Sequence, residues 1–188
     1  MQLILASASP RRQALLGIFR IPFAVRAADI DETMDPALPP REAVAAVSCR
    51  KALAVQAGPD DVVIAADTIV VCGGKILGKP HSEVEAREML ALLSGREHQV
   101  MTGCTLRRGG KSCTFTEVTD LRFRPLSPKE IADYVATGEP MDKAGAYGIQ
   151  GGAALFCEGL HGDYYNVMGL PLCALGQRLK EIAPELFA

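Results

Sequence analysis

The run Val62-Val63-Ile64-Ala65-Ala66-Asp67-Thr68-Ile69-Val70-Val71 constrains the fold more than any other stretch of this 188-residue chain. Its nearly unbroken β-branched and apolar character predicts a strand buried on both faces, which needs other elements packed on either side of it. Helical patterns are expected over 10–18, 41–57, 83–93, 128–137 and 172–182. Strands are expected over 2–6, 22–27, 75–77, 100–107, 112–124 and 153–156. Ser82-Glu83-Val84-Glu85 and Ser127-Pro128-Lys129-Glu130 have the spacing of capping boxes, and Gly73-Gly74 and Gly109-Gly110 read as hairpin turns. A Pro-rich loop fills Asp29 to Pro40, and no internal repeat or low-complexity segment is present. Alternating strands and helices with two hairpins among them predict an α/β fold with a curved, mixed sheet flanked by helices.

Hydrophobic residues make up 48% and charged residues 22%, ordinary for a soluble globular protein. The length suits a single domain over 1–188, or one domain with two lobes around a cleft. No apolar run approaches the roughly 20 residues that span a bilayer, and Arg11 and Arg12 interrupt any signal-like stretch, so a cytoplasmic protein with no membrane partner is expected. A net charge of −2 and 5% aromatic residues argue against a nucleic-acid surface. A polyanionic ligand would then have to be met by a local cluster of cations or by metal ions. The six cysteines form no C-x-x-C pair, and His81, His98 and His161 show no zinc-site spacing. Buried free thiols are expected, Cys104 and Cys173 within apolar runs being examples.

Against this background one segment stands out. Ala6-Ser7-Ala8-Ser9-Pro10-Arg11-Arg12-Gln13 follows the apolar Leu3-Ile4-Leu5 and opens a helix on Ala14, Leu15, Leu16 and Ile18. Ser9 is the expected N-cap and Pro10 the first helical residue. The first-turn amides, the hydroxyls of Ser7 and Ser9 and the guanidinium groups of Arg11 and Arg12 together suit a phosphate. The plain alternative is a capped helix carrying two solvated arginines.

Asp67 is the second signal, because a carboxylate inside an apolar strand is costly to bury unless a cation meets it. It either pairs an arginine as part of the framework or takes part in chemistry. A carboxylate is a weak base at neutral pH, so a catalytic Asp67 would need burial that raises its proton affinity, or would act by holding metal and orienting water. Thr68 points to the other face. Lys51 sits in a helix, Lys79 in the stiff frame Gly78-Lys79-Pro80, and Glu32 in an irregular acidic loop where it is either a metal ligand or a solvated charge. Asp142 to Gly152 reads as a Gly-rich loop that lets backbone approach a ligand, with Gln150 as its amide side chain, or as a structural turn. Asn166-Val167-Met168-Gly169-Leu170-Pro171 is a turn before the last helix or part of a cleft wall.

Taken together, Ser7 to Arg12, Ala65 to Thr68, Gly78 to Pro80, Asp142 to Gly151 and Asn166 to Pro171 resemble the Maf family of nucleoside triphosphate pyrophosphatases. The resemblance covers nearly the whole chain. It implies an α/β fold with two lobes around a cleft, similar to inosine triphosphate pyrophosphatases. It also implies a cytoplasmic homodimer that needs a divalent cation (Mg²⁺, Mn²⁺ or Co²⁺) and splits a nucleoside triphosphate into monophosphate and pyrophosphate. By the same resemblance Asp67 is the proton acceptor or a metal-bound carboxylate, and Glu32 assists with metal. Ser7, Ser9, Arg12, Lys51 and Lys79 line the triphosphate, and Arg11, Thr68 and Gln150 select the substrate. Gln150 matches the branch acting on dTTP and UTP rather than that acting on 7-methyl-GTP. The chemistry agrees, since a Gln amide accepts from the N3–H of uracil or thymine and donates to a ring carbonyl, whereas Glu only accepts. Two rivals stand beside this reading: a nucleotide-binding regulator of cell division without turnover, and a nucleic-acid-binding module.

Overall fold

The long apolar strand forms where the sequence places it, and a sheet is assembled around it. In the computed structural model, which describes residues 1–27 and 29–187, the strands are β1 (Leu3–Leu5), β2 (Phe23–Val25), β3 (Val62–Cys72), β4 (Lys75–Leu77), β5 (Glu97–Arg108), β6 (Lys111–Phe123) and β7 (Cys157–His161). The helices are α1 (Pro10–Gly17), α2 (Pro40–Ala54), α3 (Glu83–Leu93), α4 (Pro128–Ala136), α5 (Tyr164–Val167) and α6 (Leu172–Ile182). Among the described residues the seven strands form one sheet, in the order β2-β1-β3-β5-β6-β7, with β4 paired to β3. β1 runs parallel to both β2 and β3, while β3–β4 and β6–β7 are antiparallel. This is the mixed α/β sheet that the alternation of elements predicts.

The chain divides into two compact units. The first comprises Met1–Asp67, Thr102–Glu117 and Gly169–Ala188; the second comprises Thr68–Met101 and Val118–Met168. In the first, Ile4, Ala6, Val63 and Ala65 pack against Ala52 and Val55. The buried face of α2 is Ala43, Val44, Val47, Ser48, Lys51 and Ala52. Ser48 is accommodated because its hydroxyl donates to Ala45 O and meets Thr105 Oγ1 at 2.8 Å. In the second, Val70, Leu90, Leu93, Leu121 and Phe123 surround an aromatic group in which Phe123 lies edge-on to His98, Tyr147 and Phe156.

Three expectations need correction. Residues 153–156 are not a strand: Ala154 N–H donates to Gly151 O and Phe156 N–H to Ala153 O, closing a 3₁₀ turn, and β7 starts only where Cys157 pairs with Phe123. α2 ends at Ala54 rather than Ala57, because the Arg107 guanidinium donates to Ala52 O and Val55 O and so ends the helix. Cys173 is exposed; Cys72 and Cys104 are buried, and all six thiols are free. Among the described residues no helix is long and apolar enough to cross a membrane.

Candidate active site

The amino-terminal turn forms as its residue types dictate. Ser9 is the N-cap of α1, with extended backbone and its hydroxyl 3.5 Å from Arg12 N, and Pro10 occupies the first helical position. Ser7, buried, accepts from both Ser9 N–H (3.3 Å) and Arg12 Nη1 (3.4 Å). The Arg12 guanidinium also donates from Nε to Gly169 O at 2.8 Å, a carbonyl far along the chain. The arginine is therefore held in place before any ligand arrives, which lowers the entropy cost of gripping a phosphate.

Lys51 projects from the last turn of α2 and is buried. Its ammonium lies 2.7 Å from Asp67 Oδ1 on β3 and 2.9 Å from Glu32 Oε1. The Asp67 side chain is only 13% exposed against 57% for Glu32, so the inner pair is the one shielded from solvent screening. Burial lowers the pKa of Arg12 from its ordinary value, while Asp67, Cys104 and Glu32 raise it and neighbouring Arg11 lowers it further. These couplings put Arg11, Arg12, Asp67 and Glu32 in one electrostatic neighbourhood, and the guanidinium stays charged there. Burial also pushes the Cys104 thiol up to about 12, leaving it protonated and unreactive at neutral pH.

Seven of the residues singled out in the sequence, Ser7, Ser9, Arg11, Arg12, Glu32, Lys51 and Asp67, thus belong to the first unit. The other three, Thr68, Lys79 and Gln150, belong to the second. Thr68 is half-buried in β3, directly after Asp67. Lys79 and Gln150 are exposed. Gly145 N–H donates to Gly78 O at 3.0 Å, so the Lys79 frame is tied to the Gly-rich segment that leads to Gln150. Gly145 has φ +68°, and a Cβ there would lie 2.7 Å from a Val70 methyl, so both its conformation and its packing require glycine.

Sequence reasoning left Asn166 to Pro171 as a turn or a cleft wall; it did not foresee that the Gly169 carbonyl fixes Arg12, or that the buried Asn166 amide donates to Val100 O and Thr119 Oγ1 at 3.0 Å. A main-chain carbonyl leaves no mark on the sequence, and nothing local to Asn166 shows that its amide reaches two distant strands.

Among the described residues no group of three or more His, Cys, Asp and Glu side chains gathers in a way that could hold a metal. Asp67 and Glu32 nonetheless direct two carboxylates at one point, which Lys51 now bridges. That donor set fits Mg²⁺, which is usually held by one or two carboxylates with waters and phosphate oxygens completing its shell.

A family model described as Maf-like protein matches residues 2–182. The chain belongs to this family. Among Maf-like relatives, a dTTP/UTP pyrophosphatase from Symbiobacterium thermophilum is 52% identical over 187 residues, covering 99% of this chain and 96% of that protein. A dTTP/UTP pyrophosphatase from Moorella thermoacetica is 50% identical over 182 residues, covering 95% and 93%. Among solved structures, a HAM1 protein from Coxiella burnetii matches with a TM-score of 0.53 at 15% identity, over 96% of this chain and 99% of that one. At that identity the Maf-like chain shares its fold with the HAM1 protein, and the likeness says nothing further.

Proposed function

We propose that this chain is a nucleoside triphosphate pyrophosphatase that hydrolyses dTTP and UTP to the monophosphate and pyrophosphate. Relatives at 50–52% identity over nearly their full length bear that activity in their names. The observation that carries the reading to particular residues is Lys51, buried and paired with Asp67 and Glu32, two carboxylates that also interact with Arg12. In this reading Asp67 orients the attacking water and accepts its proton. Arg12, already anchored by Ser7 and Gly169, takes the phosphate chain bidentately. Ser7 and Ser9 supply hydroxyl donors, and Lys51 and Lys79 stabilise charge on the departing pyrophosphate, a contribution worth about 10²–10³ in rate for one such donor. A divalent cation (Mg²⁺, Mn²⁺ or Co²⁺) held by Asp67 and Glu32 would neutralise the triphosphate and lower the pKa of the attacking water. Arg11, Thr68 and Gln150 would select the base.

The remaining parts of the proposal are broader. Six free thiols support a reducing, cytoplasmic setting, and a net charge of −2 supports a nucleotide rather than a nucleic acid as partner. A homodimer that removes non-standard or excess nucleotides completes it.

The test is a panel of nucleoside triphosphates assayed for pyrophosphate release with each cation. Release from dTTP and UTP well above that from dATP, dGTP and dCTP is expected, and its loss on chelation of the cation. Tight nucleotide binding with no release from any member would overturn the reading in favour of a regulator without turnover.

A further inference from the structure

Gln150 sits on an exposed turn, and an amide can read a base only if its backbone is held still. Its anchor lies beneath the turn. Gly151 N–H donates to Gly148 O at 3.0 Å, closing the turn around Gln150. The N–H groups two residues to either side reach the same carboxylate by different routes. Gly152 N–H donates to Glu139 Oε2 at 3.0 Å. Gly148 N–H donates to the Tyr134 hydroxyl at 3.1 Å, and that hydroxyl donates to Glu139 Oε1 at 2.9 Å. The turn packs closely on these side chains: a Cβ on Gly151 would displace the Glu139 carboxylate, and one on Gly148 would lie 2.7 Å from Lys143 Cε. Lys143 in turn donates to the Glu139 carbonyl at 2.6 Å.

We infer that Glu139 and Tyr134 are positioning residues for substrate selection, clamping both ends of the Gly148–Gly152 turn so that the Gln150 amide is presented in one place. This rests on Gln150 reading the base. The clamp is polarised in a fixed sense, because the carboxylate only accepts, so Tyr134 must donate to it and accept from Gly148. Burial, with the Glu139 charge adding to it, raises the phenol's pKa and keeps the hydroxyl protonated for that task. Neither residue is among those assigned to the phosphate end, so loosening the turn should alter discrimination rather than hydrolysis.

The experiment compares Glu139→Gln, Tyr134→Phe and Gln150→Ala with the parent enzyme, taking kcat and KM for dTTP and dCTP and the melting temperature of each. Glu139→Gln keeps the shape but replaces one acceptor oxygen by a donor; Tyr134→Phe leaves Gly148 N–H without its acceptor. Both are expected to lower the dTTP-to-dCTP ratio of kcat/KM about tenfold, through KM for dTTP, with kcat at saturation within about twofold. Combining Glu139→Gln with Gln150→Ala is expected to add nothing beyond Gln150→Ala alone, as residues acting through one another do in a mutant cycle. If Gln150→Ala lowers the ratio but the two clamp variants fold and leave it unchanged, the positioning role is wrong. If Gln150→Ala itself leaves the ratio unchanged, base reading by Gln150 is wrong and the clamp has nothing to position. Failure of both clamp variants to fold would assign the pair to the core and equally overturn the inference.

Discussion

An ammonium shared by two carboxylates, one of them shielded from solvent, is an informative arrangement to break. Removing one partner of a buried ion pair usually costs about 3–5 kcal/mol, because the other charge is left uncompensated. Asp67→Asn avoids most of that penalty, since an amide oxygen still accepts from Lys51 at the position now 2.7 Å away. The variant is therefore expected to fold and to bind dTTP with little change in calorimetry, while releasing no measurable pyrophosphate. Near-normal release would take Asp67 out of the chemistry. His98 offers a test of a different kind. It is buried, its Nε2 meets the Tyr147 hydroxyl at 2.9 Å, and burial depresses its pKa from 6.5 to about 4. The unfolded chain therefore takes up this proton first as the pH falls. The stability due to a neutral His98 is complete above about pH 6.5 and declines down to about pH 4, by about 3 kcal/mol in all. Denaturant titrations of His98→Gln are expected to lose that part of the slope between pH 6.5 and 4, with the rest of the acid profile unchanged.

At the level of elements, the placement of Lys51 depends on how closely α2 approaches the sheet. A Cβ on Gly103 of β5 would stand 2.5 Å from Val44 O and 2.8 Å from Ala45 N, both backbone atoms of α2. Such atoms cannot swing aside, so Gly103→Ala is expected to lower the melting temperature by several degrees, equivalent to about 1–3 kcal/mol. Activity should fall with it as Lys51 is displaced. Helix starts were the most legible features of the sequence. Ser9, Ser82 and Ser127 all accept from a backbone N–H in the first turn, and Ser127 with Glu130 completes a capping box. Those signals lie within four residues and need no tertiary knowledge. Helix ends and weak strands were less legible because distant groups decide them: Arg107 ends α2 from another strand, and β7 begins where β6 offers a partner.

For the molecule as a whole, the chain passes between its two units at 67/68, 101/102, 117/118 and 168/169. Neither unit is one continuous segment, so neither can be obtained by cutting the chain once. A chain ending at Met168 would lose α6, with buried Leu172, Leu175 and Leu179, and the Gly169 carbonyl that holds Arg12. It is expected to lack a cooperative thermal transition by circular dichroism, although every residue of the second unit would remain. The candidate site was legible as residue types in five short motifs together with the separate Glu32 and Lys51, and the structure unites Ser7, Ser9, Arg11, Arg12, Glu32, Lys51 and Asp67 within one unit. How Arg12 is anchored was not legible, since its partner is a carbonyl 157 residues away.

The pairing of Leu3 with Val62, Ile4 with Val63 and Leu5 with Ile64 sets the phase of β3. Successive side chains of a strand face opposite ways, so losing a single residue between 64 and 67 with that pairing kept would move Thr68 into the place of Asp67. Lys51 would then meet a hydroxyl instead of a charge. The number of residues in this stretch is thus under as tight a constraint as their identity, and small apolar exchanges there should be tolerated where any insertion or deletion is not.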